Sequence, residues 1–239
     1  MVRIGPVRVV WMVALAGALL GASAHGATSR RGIGNVTTRH KVVALTFDDG
    51  PCPWIAPGFL KLFKDEGVKV TFFVIGRNVN KNPAMAKKML AAGHELGNHT
   101  IDHSNLTKLK TDEEVREKIT STQEAVKKAT GVEPKVFRAP YIAHDERTWR
   151  VLDALKLPSI AARLDTRDWD GKSTPASITD AATLKTRPGD IILMHEWNKK
   201  TLSAMPEIIK RLKSKGFRFV TVSELLAINK PKARGKSRR

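Results

Sequence analysis

Val42-Val43-Ala44-Leu45-Thr46-Phe47-Asp48-Asp49-Gly50-Pro51 is the stretch that organises the chain. The apolar run from Val42 to Phe47 reads as a strand, and the Gly-Pro pair after it forces a sharp turn. Two adjacent carboxylates cannot both face a core. The turn therefore leaves Asp48 and Asp49 at the strand's C-terminal rim, where α/β folds keep their chemistry. On a strand, neighbouring side chains point to opposite faces, so only a bent rim lets both carboxylates approach one ion. Alone, the same residues read as no more than an acidic, solvated turn. Partners elsewhere in the chain change that reading.

Glu95-Leu96-Gly97-Asn98-His99-Thr100-Ile101-Asp102-His103 supplies two imidazoles four residues apart. A helical turn would put His99 and His103 on one face as a two-point grip on a metal. Two neutral histidines and a carboxylate make a facial set of three ligands, with open positions for water and substrate. Surface helices produce His-x3-His by chance; beside Asp-Asp-Gly at a strand end it gains weight. Three further blocks follow: Arg138-Ala139-Pro140-Tyr141, then Asp165-Thr166-Arg167-Asp168-Trp169, then Leu193-Met194-His195 after Ile191-Ile192.

In this order the five blocks resemble the five motifs of the polysaccharide deacetylase family, the NodB-homology domain of carbohydrate esterase family 4. The resemblance runs from about Lys41 to Leu226, and Val70 to Gly76 and Gly93 to His99 add secondary matches. It implies a single-domain α/β fold, a distorted or incomplete (β/α) barrel. It also implies a metal-dependent hydrolase that removes N-acetyl groups from N-acetylglucosamine-containing glycans such as chitin oligomers or peptidoglycan. By resemblance, Asp49, His99 and His103 bind a divalent ion, most naturally Zn2+, with Co2+ or another ion also admitted. Asp48 is the general base and Arg138 its partner. His195 is the general acid, oriented by Asp168, and the Tyr141 backbone N–H helps hold the oxyanion. Tyr141, Trp169 and Leu193 line the substrate pocket.

From the residues alone, His195 stays open between an acid, a third metal ligand and a core histidine, and Trp169 and Leu193 fit an ordinary core. Many family members continue the third motif with glycine. Here Ile142-Ala143-His144 follows Tyr141, a bulkier loop that would narrow the groove. His144 is read as a groove residue and His94 as structural. Cys52, the only cysteine, reads as a small turn residue near the site, because a thiol without a positioned base is not a nucleophile.

With 239 residues and 41% apolar content, one domain is the natural count. Residues 1–24 have the three parts of a secretory signal: Arg3 and Arg8, an apolar run from Val9 to Leu20, and Ala22-Ser23-Ala24 as a cleavage site. An uncleaved membrane anchor is the alternative, for which the apolar run is short. A secreted or periplasmic location follows, with a mature start near His25. Residues 25–40 read as a basic arm, 41–228 as the catalytic domain and 229–239 as a basic tail.

More than half of the +19 formal charge sits on these ends: Arg3 and Arg8, then Arg30, Arg31, Arg39 and Lys41, then six cations from Lys230 to Arg239. Such ends suit an anionic envelope polymer. Nucleic acid is not expected, since no aromatics are interleaved with the cations. A monomer is expected.

Strand-like and helical patterns alternate in between, which implies a parallel sheet. Strands are expected at Val42 to Phe47, Val68 to Ile75, Lys135 to Phe137, Ser159 to Leu164, Asp190 to Met194 and Phe217 to Val220. Helices are expected at Pro57 to Glu66, Pro83 to Ala92, Thr111 to Thr130 behind a capping box, Asp145 to Leu155, Ala176 to Thr186 and Leu202 to Ser214. A closing helix is expected to be capped by Ser223.

Three other functions fit parts of this pattern. One is hydrolysis of a small amide or an O-acetyl ester on the same fold. Another is a non-haem iron oxygenase, which leaves Asp48 and His195 without roles. The third is a non-catalytic glycan or envelope binder, which would not need all five blocks.

Overall fold

The computed structural model describes Met1 and residues 30–228. The expected signal, the start of the basic arm and the tail 229–239 lie outside the described residues. Six strands form one sheet: β1 (Val42–Gly50), β2 (Thr71–Val74), β3 (Glu95–Asn98), β4 (Leu164–Asp165), β5 (Asp190–His195) and β6 (Arg218–Phe219). The order is β3-β2-β1-β5-β4, all parallel, and β6 pairs with Val42 and Val43 at the start of β1. β1 is thus central and flanked along its length. That position explains its unbroken apolar run: a strand covered on both faces has no solvent side to alternate with.

Eight α-helices are described: α1 (Ala56–Glu66), α2 (Gly76–Lys81), α3 (Pro83–Ala91), α4 (Asp112–Thr130), α5 (Glu146–Leu155), α6 (Pro175–Thr183), α7 (Lys199–Ser214) and α8 (Val222–Ala227). Phe47 on β1 meets Phe59 and Phe63 of α1 and Phe72 of β2, with ring centroids 5.2, 5.5 and 5.6 Å away. Each buried ring of this kind contributes on the order of 2 kcal/mol, so this cluster fixes α1 against the strand that carries Asp48.

The barrel closes only through single bridges. Asn98 at the end of β3 bridges Phe137, Phe137 bridges Ser159, and the chain then runs into β4 beside β5. The strand expected at Lys135 to Phe137 shrinks to the bridges of Phe137, and that expected at Ser159 to Leu164 shrinks to bridges at Ser159 and Ile160 and the first residue of β4, which is the distortion of the barrel.

Boundaries shift where a cap lies elsewhere than the pattern suggests. Asn198 caps α7 with its side chain on the Lys200 amide, a turn earlier than expected. Thr221, not Ser223, caps α8 in a reciprocal box with Glu224, while Ser223 lies inside the helix and binds Glu95. The box at Thr111 and Glu114 and the left-handed stop at Gly131 are as expected. Of the expected arm 25–40, residues 30–40 are described. Ile33 bridges Ile160 and Asn35 bridges Asp190, so this part of the chain is stitched to the sheet. Among the described residues no helix is long and apolar enough to cross a membrane.

Candidate active site

The rim of β1 is bent as the paired carboxylates require. β1 stays in register with β5 as far as Asp48 opposite His195, but its ladder with β2 slips between Asp48 and Gly50. Asp49 sits at φ 74, a left-handed conformation that swings its carboxylate to the side Asp48 faces. Two contacts hold it there: Asn78 of α2 donates to its carbonyl at 2.9 Å, and the Trp197 indole N–H donates to its Oδ2 at 3.0 Å. Gly50 cannot carry a side chain, because a Cβ there would overlap the Glu196 carboxylate. Both aspartates line a cavity of about 520 Å³ at the C-terminal end of the sheet.

His99 and His103 are not on a helix. They flank a turn after β3 in which Thr100 (φ 64) and His103 (φ 60) are left-handed. The first amides of α2 pin that turn, Gly76 N–H to the Thr100 carbonyl at 3.0 Å and Arg77 N–H to the Ile101 carbonyl at 2.8 Å. The Asn98 side chain accepts from the Thr100 amide at 2.9 Å. The turn brings Nε2 of His99 and of His103 to 3.5 and 3.4 Å from Asp49 Oδ1.

The protonation pattern fits a cation. His99 Nδ1 lies 2.7 Å from the Arg138 carbonyl, so it carries the hydrogen and Nε2 presents a lone pair towards Asp49. Burial pushes His99 down to about 3, which keeps it neutral. Asp49 Oδ1 is buried with no hydrogen-bond donor. An orphaned carboxylate oxygen facing an imidazole lone pair is costly unless a positive charge sits between them. The three ligand atoms lie within 4.8 Å of one another. One carboxylate oxygen and two imidazole nitrogens with an open side suit a divalent ion of the zinc type.

Asp48 and Arg138 form the first flanking pair. The guanidinium is fully buried; it donates to Asp48 Oδ1 at 2.7 Å and Thr46 Oγ1 at 2.8 Å, and to the carbonyls of Ile160 and Ala161. It also stacks over Phe73, 4.2 Å from the ring centre. Each of the three nitrogens of this buried cation thus has an acceptor, which makes its burial tolerable. Burial nevertheless outweighs the neighbouring Arg138 charge and raises the Asp48 carboxyl above its ordinary value. Pairing with arginine alone suggests a strongly acidic Asp48; the structure corrects this towards a carboxylate poised to take a proton.

His195 and Asp168 form the second pair, across the cavity. Asp168 is buried; Oδ1 lies 2.7 Å from His195 Nδ1, while Oδ2 accepts from the His195 backbone at 2.7 Å and from Thr201 Oγ1 at 2.5 Å. Burial acts to lower the imidazole, but the Asp168 hydrogen bond and the charges of Asp48, Asp168 and Asp49 prevail and raise it to about 9. The ligand atoms that converge are those of Asp49, His99 and His103; His195, held by Asp168 at Nδ1, is not among them.

Tyr141, Trp169 and Leu193 all line the cavity, as does Ile142. His144 does not: it lies behind the turn, stacked on Trp149, which corrects its reading as a groove residue. His94 is structural, edge-on to Phe63 and Phe72 with Nδ1 accepting from the Val70 amide. Cys52 is a free buried thiol, pushed up by burial and by the nearby Glu196 and Asp49 charges, and so is no nucleophile. Two residues escape the sequence reading. Trp197 braces Asp49, and Glu196, raised by burial to about 8, supports the turn by accepting from the Cys52 amide at 2.8 Å. Both directly follow His195, which is the only signal that marks them.

A parallel-sheet α/β protein with a two-histidine, one-carboxylate centre between an acidic and a basic pair has the layout of a hydrolase of acyl groups. Residues 35–160 match the model of the polysaccharide deacetylase family, and the chain belongs to that family. It is 40% identical over 186 residues to the peptidoglycan-N-acetylglucosamine deacetylase PgdA of Listeria monocytogenes, covering 78% of this chain and 39% of that one. The chain thus spans about two fifths of this relative's length. The family 4 carbohydrate esterase of Streptomyces lividans, solved with acetate, superposes with a TM-score of 0.71 at 31% identity, covering 75% of this chain and 91% of its own. A family 4 pseudoenzyme from Bacillus anthracis superposes with a TM-score of 0.76 at 29% identity, covering 81% and 68%.

Proposed function

We propose that this chain is an exported, metal-dependent deacetylase that removes N-acetyl groups from N-acetylglucosamine-containing glycans, with peptidoglycan as its first candidate substrate. One observation carries the reading: Asp48 held by Arg138 and His195 held by Asp168 flank the Asp49, His99 and His103 cluster in one cavity. The name of the Listeria relative supports the substrate class.

Asp49, His99 and His103 would hold the divalent ion, with Zn2+ the best fit to the donor set. When bound, such an ion polarises an amide carbonyl and lowers the pKa of water. The chain's own residues do the rest. Asp48 takes the proton of the attacking water, and Arg138 keeps that carboxylate in place. The Tyr141 N–H helps hold the oxygen on which negative charge grows. His195 hands its proton to the departing amine, and Asp168 restrains the ring and favours its protonated form. Trp169 and Leu193 shape the acetyl pocket.

Acetate release from peptidoglycan, chitin oligomers and acetylated xylan, each with and without chelator, tests the proposal. Release from the first two that stops with chelator is expected. No release from any of them would favour a non-catalytic glycan binder. Release from xylan alone would favour the O-acetyl ester reading. Export is tested by sequencing the mature N-terminus, expected near His25, and monomeric state by sedimentation.

A further inference from the structure

Tyr141 and Ile142 occupy two successive left-handed conformations, at φ 60 and φ 52. For a β-branched residue this is a strained backbone, and it persists only where the surroundings over-determine it. Burial of their side chains does not hold them there: both are exposed at the cavity's mouth. The turn's own hydrogen bonds, Ile142 N–H to the Ala139 carbonyl at 3.0 Å and Ala143 N–H to the Pro140 carbonyl at 3.1 Å, secure one side only.

The other side is secured by His144. Its Nδ1 lies 3.2 Å from the Ile142 carbonyl and its Nε2 2.7 Å from Ser159 Oγ. With the hydrogen on Nδ1, the ring donates to the carbonyl and accepts from the serine hydroxyl, so both nitrogens are used. The ring stacks on Trp149 of α5, 4.3 Å between centroids and 8° from parallel. Trp149 and Ser159 are buried, and Ser159 is bridged to Phe137 in the barrel wall. Burial lowers His144 below an ordinary histidine, in keeping with a neutral ring.

We infer that His144 is a positioning residue that clamps the strained Tyr141-Ile142 turn, making Ile142 a fixed wall of the cleft and setting Tyr141 against the metal-site loop. The Tyr141 ring packs 4.9 Å from that of His103, so the clamp reaches a predicted metal ligand through one contact. In its effect on turnover, the inference rests on the deacetylase reading. The clamp would hold the Tyr141 N–H where the developing oxyanion needs it, while the Ile142 side chain limits the width available to a sugar ring. An isoleucine at this position is tolerable only with such a clamp; a glycine would adopt φ 52 without one.

That asymmetry supplies the test. The four chains are the unaltered protein, His144→Ala, Ile142→Gly and the double variant, assayed for kcat and KM on an N-acetyl oligomer. His144→Ala is expected to lower kcat/KM about tenfold, as for release of a strained turn. In the Ile142→Gly background the same change should cost less than about twofold, because the strain at position 142, whose carbonyl the ring holds, is gone. His144→Asn, which keeps a donor near the Ile142 carbonyl, should restore part of the loss. Equal losses in both backgrounds would reduce His144 to ordinary core packing and overturn the inference.

Amide exchange at Ile142 and Ala143 reads the clamp without any substrate, so it remains decisive if the unaltered chain releases no acetate and the deacetylase reading fails. Exchange should be about tenfold faster in His144→Ala than in the unaltered chain, and unchanged on adding His144→Ala to Ile142→Gly. Unchanged exchange in His144→Ala itself would overturn the inference. If His144→Ala does not fold, Ser159→Ala removes one anchor alone, and a loss confined to the chain that keeps Ile142 is expected. A loss of the same size in the Ile142→Gly background would refute it.

Discussion

Asp168→Asn isolates the acid half of the proposed mechanism. The Asp168 carboxylate lies 2.7 Å from His195 Nδ1, and His195 is raised from the ordinary 6.5 to about 9. Because the folded-state value is the higher one, His195 stays protonated through neutral pH and loses its proton only as pH approaches 9. The pair's contribution to stability has the same window: it is full below about 6.5 and lost as pH rises through about 9. Asparagine removes the negative charge and the charge-assisted hydrogen bond, while burial, which acts in the opposite direction, remains. The alkaline limb of the rate profile should therefore fall by about one to two units. A fall of two units leaves about a tenth of the imidazole protonated at about pH 8, where about nine tenths were before, so the rate there should drop about tenfold. The assay is the pH-rate profile of both proteins on an N-acetyl oligomer and on an aryl acetate. The aryl acetate should be slowed less, because its leaving group needs little protonation. An unmoved alkaline limb, or equal slowing on both substrates, would remove His195 from the acid role.

Asp49→Ala and His99→Ala should each lose bound metal by elemental analysis, whereas Asp48→Asn should retain it; equal loss in both aspartate variants would refute the division of labour. Arg138→Leu leaves Asp48 buried without its partner, so it should cost about 3 kcal/mol in chemical denaturation and shift the acidic limb to higher pH. An unshifted acidic limb in a folded variant would detach Arg138 from the base. Deleting residues 229–239 should leave turnover on short oligomers intact and weaken retention on anionic envelope polymer at low salt. Retention unchanged at low salt would end the tether idea.

Much of this site is legible in the chain because its groups sit in short blocks tied to strand ends. Asp-Asp-Gly-Pro predicts a bent rim, and the left-handed Asp49 with its slipped ladder is that bend. The spacing of His99 and His103 predicts convergence but not its means. A helix and a turn with two left-handed residues can both bring the rings together, and only the amides of α2, which has no apolar periodicity to announce it, decide for the turn. The direction of the Asp48 shift is equally out of reach, since sequence shows the arginine partner but not how completely the pair is buried. Residues that act through long-range contact, such as Trp197 on Asp49 and Glu196 behind Gly50, have no local pattern to reveal them.

The most direct test compares acetate release from peptidoglycan by the unaltered protein and by Asp48→Asn, both brought to full metal content. Release by the unaltered protein that chelation abolishes and added Zn2+ restores is expected, with Asp48→Asn slower by about a thousandfold despite its full complement of metal. Release by Asp48→Asn at the unaltered rate, or none from the metal-loaded unaltered protein, would contradict the proposed mechanism.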